Sequence, residues 1–478
     1  MYRQSKLKNF SIDINHQQSH KGKMKTIKEP AREIPVLAET DVLVVGSGPG
    51  GISAAIAAAR EGVDTMLLER YGCFGGVLSQ VGVEGVAWYR HEQTVESNGI
   101  GNEFEVKAKE LGGSSSESQS DSEALDAEMF KVVADKMVLE AGTRPLLHAM
   151  AADVIMEGNT IKGIIIESKS GRQAIIAKRV IDATGDADIA AKAGAPYYKA
   201  PKEELMVMTV MFSCRGVNSD VFNNYVKEDL KPTYSSWGGN SWTQHTSGKE
   251  DHMFSPYLEN PFNKAIDDGL ITLDENISIG GTWSTISPEG DATQLNMVHI
   301  RKRDCTDVMD LTQSEIIGRE SALKAITALN KYVPGFEKAR LRNFGMTVGT
   351  RESRKIIGRY SLTEHDVKNQ AQFEDTIGIF PEFIDGCGTI ILPTTGRYFQ
   401  VPFGCMVPQK IENLLVVGRA VSGDRIAHCA FRNMMCCTVT GQGAGSAAAV
   451  SLISGKTVGQ VEVDDVQKLL IKRGVRIK

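Results

Sequence analysis

A cluster of glycines near residue 46 is the first part of the chain whose spacing suits chemistry. It follows the apolar run 41–45 and precedes an alanine-rich segment that ends near Gly62. This order predicts a strand, a tight turn and a helix. Such a turn presents bare N–H groups and the positive end of a helix dipole, which together bind the pyrophosphate of a dinucleotide. The residues predicted to form this cradle are Gly46, Gly48, Pro49, Gly50 and Gly51.

The next predicted strand, 63–70, ends in an acidic residue followed by a basic one. Glu69 is placed to accept hydrogen bonds from ribose hydroxyls and to repel a 2′-phosphate, which disfavours NADP. Arg70 lies at the same strand end. A second glycine pair, Gly75 and Gly76, follows where a ligand continuing beyond the pyrophosphate would pass. A nicotinamide dehydrogenase has no evident need for this second pair.

Three later segments extend the same kind of site. The apolar run 179–182 leads into Ala183, Thr184 and Gly185, and the run 413–417 leads into Gly418 and Arg419. A glycine-rich helix is predicted to begin near Thr440. Its candidate cofactor-binding residues are Gly441, Gln442 and Ala444. We interpret these distant segments as one nucleotide-binding domain assembled from both ends of the chain.

Taken together, the motifs resemble the FAD-dependent oxidoreductase family of the glutathione-reductase-like flavoproteins. The resemblance extends more distantly to the flavoproteins of fumarate reductase and succinate dehydrogenase. The matching pieces occur in order between residues 41 and about 452: DVLVVGSGPGGISAAIAAAREG, AKRVIDATGDADIAAKAGAP, GTRESRKIIGRYSLTEHDV, VPFGCMVPQKIENLLVVGRAVS and VTGQGAGSAAA. The resemblance implies FAD, with Glu69 on the adenosine ribose and the first glycine turn on the pyrophosphate.

The resemblance also implies where the rest of the cofactor lies. It places Gly75 and Gly76 toward the flavin, Thr184 and Gly185 near the adenine half, and Gly418 and Arg419 near the ribityl chain. Negative charge collects on one edge of a reduced flavin, where a helix N-terminus is stabilising. The glycine-rich helix is predicted to supply that N-terminus, and a small-residue helix that only packs closely is the alternative.

Catalytic candidates come from residues that hold a substrate or move a proton. Arg351, Arg354 and Arg432 are candidates for holding a carboxylate, which a guanidinium grips with two hydrogen bonds. Structural ion pairs are the alternative for each. His428 is the candidate for proton transfer, with a packed histidine as the alternative. Many relatives carry Thr-His-Glu where this chain has Asp-Arg-Ile, which places their histidine on Arg425 and weakens a transferred mechanism.

The eight cysteines predict free thiols. They show no CxxC pair and no zinc-type spacing, so no metal site is predicted. Cys73 lies near the expected flavin position, but no second cysteine completes a CxxxxC redox pair. A small apolar filler is therefore favoured at Cys73 over a redox-active thiol.

Composition excludes several classes of protein. The chain has 478 residues and a formal net charge of −5, which argues against a general nucleic-acid binder. No stretch approaches the roughly 18 uninterrupted apolar residues of a membrane span. The polar, lysine-rich segment 1–38 lacks the apolar core of a signal peptide and is predicted to be a flexible tail. We therefore expect a cytoplasmic protein.

The predicted fold class is α/β. A Rossmann-like FAD-binding domain at 39–199 and 346–478 is expected to combine a parallel sheet with a small antiparallel meander. A serine-rich loop at 112–122 and a helix at 123–140 are predicted within it. An α+β substrate domain is expected to be inserted at 200–345, with a Trp-containing region at 235–245 and a helix that starts at the Thr312-x-x-Glu315 capping box.

The predicted function is hydride transfer between bound FAD and a small organic substrate that is anionic or oxygenated. The reaction would oxidise a C–H or C–OH group or reduce an activated C=C bond. Two alternatives stay open: a flavin-dependent non-redox enzyme, such as a hydratase or isomerase, and a flavin-holding subunit of a larger complex. A separate electron-transfer partner and a homo-oligomer also stay open. No second GxGxxG unit indicates a full nicotinamide domain.

Overall fold

The computed structural model describes residues 26–86, 89–91, 95–116, 122–236, 243–244, 252–393 and 396–478. Residues 1–25 of the predicted tail lie outside the described residues. The same holds for 117–121 of the serine-rich loop and for most of the Trp-containing region.

The helices and strands alternate along the first half of the chain and again near its end. The helices are α1 (Pro49–Ala59), α2 (Ile100–Glu110), α3 (Ala127–Glu140), α4 (Asp188–Lys192), α5 (Ser219–Tyr225), α6 (Asn260–Asp267), α7 (Val308–Tyr332), α8 (Glu364–Lys368), α9 (Arg425–Phe431), α10 (Met434–Ser454) and α11 (Val463–Lys472). The first strands are β1 (Val36–Val45), β2 (Thr65–Leu68), β3 (Arg90–His91), β4 (Val95–Glu96), β5 (Ser114–Ser116), β6 (Glu123–Leu125), β7 (Arg144–Leu146), β8 (Met150–Glu157), β9 (Thr160–Ser168), β10 (Gly171–Asp182) and β11 (Tyr197–Tyr198). The later strands are β12 (Met208–Arg215), β13 (Thr243–Gln244), β14 (Tyr257–Leu258), β15 (Ile277–Thr282), β16 (Ala292–Ile300), β17 (Arg340–Phe344), β18 (Lys355–Ile356), β19 (Thr376–Pro381), β20 (Ile384–Gly386), β21 (Thr389–Ile391), β22 (Tyr398–Pro402) and β23 (Leu414–Val416).

The main sheet is parallel where the glycine motifs meet. Its parallel strands pair in the order β7, β2, β1, β10 and β23. Val45 lies opposite Leu68 on one side and Asp182 on the other, and Asp182 lies opposite Val416. Leu146, the last residue of β7, lies opposite Leu68, so all five parallel strands end at one edge of the sheet, and the turns that follow them are brought together there.

The antiparallel meander is confirmed. Strands β8 and β9 pair antiparallel, and β9 pairs with the first half of β10. The same β10 then joins the parallel sheet through its second half. The fold is α/β, with a Rossmann-like sheet and an attached meander, as predicted.

A second core surrounds a separate antiparallel sheet. Its strands pair in the order β14, β15, β16, β12 and β17, and its core residues are drawn from 208–348. The long helix α7 packs closely on this sheet, because a side chain at Gly318 would overlap Val210. The rings of Trp283 and Phe336 both meet Phe222 edge to face, at centroid distances of 5.3 and 5.1 Å. We call residues 208–348 the inserted lobe; the boundaries at 200 and 345 stay a prediction.

Two helix starts differ from the predicted ones. Residues 123–125 form strand β6, and α3 begins at Ala127 behind an Asp126 side chain that accepts from the N–H groups of Glu128 and Met129. Helix α7 begins at Val308, capped by Asp307. Asp126 follows the predicted start of α3 at residue 123, and Asp307 precedes the predicted start of α7 at Thr312. In both helices the aspartate side chain satisfies free N–H groups of the first turn.

Glu84 joins the two parts of the chain. Its carboxylate accepts from Thr293 Oγ1 at 2.5 Å and from the Ala127 N–H at 3.3 Å. Gln294 Oε1, next to Thr293, accepts from the Gly85 N–H at 2.5 Å. Burial raises the pKa of Glu84 to about 7. The hydrogen bonds from Thr293 and Ala127 oppose this shift, so it is burial that favours the protonated form of Glu84 in the folded protein.

A pH-dependent stability follows from this contact. The folded pKa lies above the ordinary value of 4.5. The protonated carboxyl thus contributes stability below pH 4.5 that is lost as pH rises through about 7, by up to about 3 kcal/mol. We expect Glu84→Gln to lack this loss in melting curves at pH 5 and pH 8. Equal pH dependence of the two proteins would contradict the assignment.

Candidate active site

A cavity of about 1030 Å³ lies at the edge where the parallel strands end. One wall comes from the turns after β1, β2, β10 and β23 and from the start of α10. The opposite wall comes from the inserted lobe and the hairpin of β20 and β21. Of the predicted cofactor-binding residues, those that line it are Gly46, Gly48, Pro49, Gly50, Glu69, Arg70, Gly76, Ala183, Thr184, Gly185, Gly418 and Arg419.

The first glycine turn fits a pyrophosphate. Gly46 has a φ of +98°, and a side chain there would overlap the Ala183 carbonyl. A side chain at Gly51 would overlap the Gly46 carbonyl, so this residue allows the helix to pack on the turn. Gly48 differs, because nothing lies within 4 Å of the position its Cβ would take. The open space beside Gly48 and the N-terminus of α1 are therefore left for a ligand.

Glu69 is tied to this turn. Its Oε2 accepts from the Ser47 N–H at 3.0 Å and from Ser47 Oγ at 2.6 Å, while its Oε1 accepts from the Tyr71 N–H at 3.0 Å. The side chain is buried and lines the cavity. The adjacent Arg70 stacks over the Tyr71 ring, with 4.8 Å between guanidinium carbon and centroid. Ser47 also belongs to the site but was not predicted from the sequence. Its role depends on its hydrogen bonds to Glu69, which no sequence motif indicates.

The second glycine pair closes onto the first turn. A side chain at Gly76 would lie 2.5 Å from the Gly48 Cα. Gly75 faces away from the cavity, toward Ser79 and Phe130. Gly76 thus takes part in the wall, and Gly75 supports it.

Asp182 organises the turn that contains Thr184 and Gly185. Its carboxylate accepts from the Thr184 N–H at 3.1 Å and the Thr184 hydroxyl at 2.7 Å. It also accepts from the N–H groups of Ile189 at 3.0 Å and Ala190 at 2.9 Å. Asp182 is fully buried. One carboxylate therefore holds both the turn and the start of α4.

Removing this carboxylate should destabilise the fold strongly. We expect Asp182→Ala to lower the free energy of unfolding by about 3 kcal/mol, because four donors lose a charged acceptor in the interior. Asp188→Ala is the matched control. Asp188 is partly exposed and pairs with Arg354, so about 1 kcal/mol or less is expected. Urea titrations of the two variants check this, and equal losses would contradict the role of Asp182.

Arg419 links the turn after β10 to the loop that follows the inserted lobe. Its Nη2 donates to Asp186 Oδ1 and to Thr350 Oγ1, both at 2.8 Å. Asp186 also accepts from the Ser353 hydroxyl at 2.6 Å. Although burial opposes it, these donors hold the pKa of Asp186 below its ordinary value. Arg419 Nε is buried and has no hydrogen-bond partner among the described residues.

Helix α10 begins earlier than predicted. It starts at Met434, and the residues that reach the cavity are Asn433, Met434, Met435 and Cys437. Gly441 packs against the Gly50 backbone, and the Gln442 side chain accepts from the Ile100 N–H at 3.1 Å. Ala444 is buried in the core. The structure therefore does not bring these three residues to the cavity: Gly441 lets α10 approach α1, Gln442 contacts α2, and Ala444 lies in the core.

Two predicted arginines meet in the cavity wall. Arg351 donates to the Val207 carbonyl at 3.0 Å and lies 3.4 Å from Asn296 Oδ1. Burial, with the charge of Arg432, lowers the pKa of Arg351 to about 10. Arg432 pairs with Asp385 at 3.0 Å, and its Nε has no partner in the described part of the chain. This end of the cavity therefore carries more cationic than anionic charge.

A histidine of the inserted lobe lies beside these arginines. Burial, with the charges of Arg351 and Arg301, lowers the pKa of His299 to about 3. His299, Asn296 and Arg301 all line the cavity. Sequence reasoning missed them because they come from β16 and the residue after it, which carry no motif. Arg354, three residues beyond Arg351, instead pairs with Asp188 at 2.8 Å.

His428 lies behind the cavity. It is buried, does not line the cavity, and its Nε2 lies 3.0 Å from the Arg351 carbonyl. Burial, with the charges of Lys355 and Arg432, lowers its pKa well below the ordinary value. A neutral, enclosed imidazole is poorly placed for proton transfer. The geometry favours a positioning role, in which His428 steadies the loop that carries Arg351.

Cys73 has the environment of a packing residue. Burial raises the pKa of its thiol, and its sulfur contacts Ser79 and Met346. In the described residues, no group of three or more His, Cys, Asp or Glu side chains is arranged to hold a metal ion. None of the described helices is long and apolar enough to cross a membrane.

Comparison with known proteins agrees with this site. Residues 41–470 match the family model described as FAD dependent oxidoreductase, and the chain belongs to that family. Membership of this family implies FAD as the cofactor.

Individual relatives are more distant. A thiamine thiazole synthase from Saccharolobus islandicus is 30% identical over 176 residues, which cover 34% of this chain and 61% of that protein. A thiamine thiazole synthase from Methanococcus vannielii is 32% identical over 164 residues, which cover 31% of this chain and 57% of that protein. The chain thus spans about three fifths of the length of these curated relatives.

Solved structures show only weak likeness. A geranylgeranyl bacteriochlorophyll reductase-like protein from Thermoplasma acidophilum is 16% identical, with a TM-score of 0.47 and coverage of 91% of this chain and 82% of that one. The flavin-dependent brominase Bmp2 is 14% identical, with a TM-score of 0.45 and coverage of 91% and 84%. Neither likeness indicates a substrate for this chain.

Proposed function

We propose that this enzyme transfers a hydride between FAD and a small organic substrate that carries a carboxylate. The observation that supports this is the partly buried pair of Arg351 and Arg432, both of which line the cavity. Within the described ranges, no carboxylate lies within salt-bridge distance of Arg351, and Asp385 pairs with Arg432 alone. A cation largely withdrawn from water and not paired with an anion is costly, and a substrate carboxylate would offset that cost.

Each part of the cavity has a role in this proposal. The turn of Gly46, Gly48 and Pro49 would hold the pyrophosphate of FAD, and Glu69 would face the ribose. Arg419, which lines the cavity, would contact the central part of the cofactor. When bound, FAD supplies a two-electron acceptor and donor. Arg351 and Arg432 would orient the substrate carboxylate, and residues 200–345 would form the substrate domain.

The proposed substrate class can be tested with paired compounds. Each small carboxylic acid in a panel is offered anaerobically to the holoprotein beside its neutral methyl ester. The visible flavin absorbance is followed with oxidised protein and again after photoreduction. We expect at least one acid to bleach or restore the flavin and its ester to be at least tenfold weaker. A preference for esters would contradict the proposal.

A further inference from the structure

Two cysteines that are distant in sequence meet beside the cavity. Cys387 and Gly388 form the two-residue turn between β20 and β21, and Cys387 lines the cavity. Both turn residues have positive φ, at +54° and +77°, as in a type I′ hairpin. Cys429 lies buried on α9. The two sulfur atoms are 3.5 Å apart.

An arginine completes this pair. Arg425 lies one helical turn before Cys429, and its Nε donates to Cys387 Sγ at 3.2 Å. Its Nη2 also donates to the Glu204 carbonyl at 2.8 Å, which fixes the guanidinium beside the sulfur. A cation and a thiol donor thus both point at Cys387, an arrangement that stabilises a thiolate.

The remaining cysteines lack this environment. All eight lie in described residues and are free thiols. Hydrogen bonds from Cys429 and Arg425 lower the pKa of Cys387 to about 6. The pKa of each of the other seven cysteines is raised. Burial is the main cause for six of them, and for Cys429 the main cause is its hydrogen bond to Cys387. Cys387 is therefore set apart as a nucleophile, with Cys429 as an adjacent thiol.

We propose that Cys387 and Cys429 form a redox-active dithiol that closes to a disulfide at the expense of a low-molecular-weight disulfide. The Cys387 thiolate attacks one sulfur of the oxidant; a mixed disulfide forms and one thiolate leaves. Cys429 then gives up its proton, and its sulfur attacks Cys387 Sγ, which releases the second thiolate. The two cysteines lose two electrons, and the oxidant is reduced to two thiols that take up the protons.

The required movement is small. A disulfide has an S–S length of about 2.0 Å, so the sulfur atoms must approach by roughly 1.5 Å. Cys429 is held by a helix, whereas Cys387 lies at a half-buried hairpin turn. The turn is therefore the part that moves. Asp385, the partner of Arg432, lies on the same hairpin, so closure acts next to the arginine pair.

Oxidised glutathione serves as the probe. The FAD-loaded full chain is incubated with it, free thiols are alkylated, and peptides are analysed by mass spectrometry. We expect a Cys387–Cys429 cross-link in the native protein. We expect a persistent glutathione adduct at Cys387 in Cys429→Ser, and neither product in Cys387→Ser. Cys73→Ser, the matched control, should form the cross-link at the native rate.

The native protein alone is sufficient to overturn the proposal. An adduct that persists at Cys387 without the cross-link would exclude Cys429 as its partner. Cys387 left unmodified while Cys73 reacts would exclude the activated thiol. A further variant tests the arginine: Arg425→Leu should slow alkylation of Cys387 at pH 7 by about tenfold, in line with a thiolate fraction that falls as the thiol pKa rises.

Discussion

Gly48→Ala is expected to weaken FAD binding on the order of 100-fold, or about 3 kcal/mol, without unfolding the protein. The reason is that the space beside Gly48 is empty of protein atoms, so a methyl group there meets no neighbour. That space is where the pyrophosphate would approach the backbone. The affinity is measured by titrating FAD into the apoprotein and following flavin fluorescence.

Gly51→Ala provides the matched comparison. Its methyl group would overlap the Gly46 carbonyl, so we expect a lower melting temperature of the apoprotein as well as weaker FAD binding. Gly48→Ala should keep the native melting temperature without FAD. Full FAD affinity in Gly48→Ala would show that the cofactor does not use this turn.

Arg351→Met is expected to raise KM for the acid substrate on the order of 100-fold, because it removes a partly buried cation that lines the cavity. FAD affinity should be unchanged, since no predicted cofactor contact involves Arg351. Steady-state kinetics with the acid most active in the panel measures the effect. Arg351→Lys should be intermediate, because it keeps the charge but loses the planar fork.

Arg354→Met is the control for Arg351→Met. Arg354 follows in the same loop, but it pairs with Asp188 and does not line the cavity. We expect the KM of Arg354→Met for the acid substrate to stay within about twofold of the native value, because this variant removes only a partly exposed ion pair. Equal effects of the two variants would indicate disruption of the loop and would remove Arg351 from substrate binding.

The nucleotide-binding half was largely predictable from the sequence. Gly46, Glu69 and Gly185 belong to short local patterns in which a strand end, a turn and a helix start are consecutive. The position of each pattern in the fold follows from its sequence, because the carboxyl ends of parallel strands meet at one edge of the sheet. The fold class and the meander were confirmed for the same reason.

Helix boundaries were less predictable because competing caps look alike. Thr312 and Glu315 match a capping box, yet Asp307 caps α7, and Glu315 instead accepts from the Val348 N–H at 2.7 Å. Glycines also mislead. Those at the centre of α10 suggested a helix start, whereas Gly441 permits close packing on Gly50. Helix packing and helix starting can require the same small residues.

The substrate side could not be derived from local patterns. Arg351, Asn296 and Arg432 come from a loop, a strand of the inserted lobe and the end of α9. Only the tertiary fold places them around one cavity. The same holds for Cys387 and Cys429, whose separation in sequence conceals their contact. His428 was singled out by its residue type; its proton-transfer role stays a prediction, and its burial behind the cavity favours a positioning role.

The most direct measurement of the central claim is the anaerobic rate of electron exchange between bound flavin and one acid, compared with its methyl ester. The acid is the most active one found with the native protein, and stopped-flow absorbance reports the flavin. We expect the acid to react at least tenfold faster than the ester at equal concentration. Equal rates for acid and ester would contradict a substrate held through its carboxylate by Arg351 and Arg432.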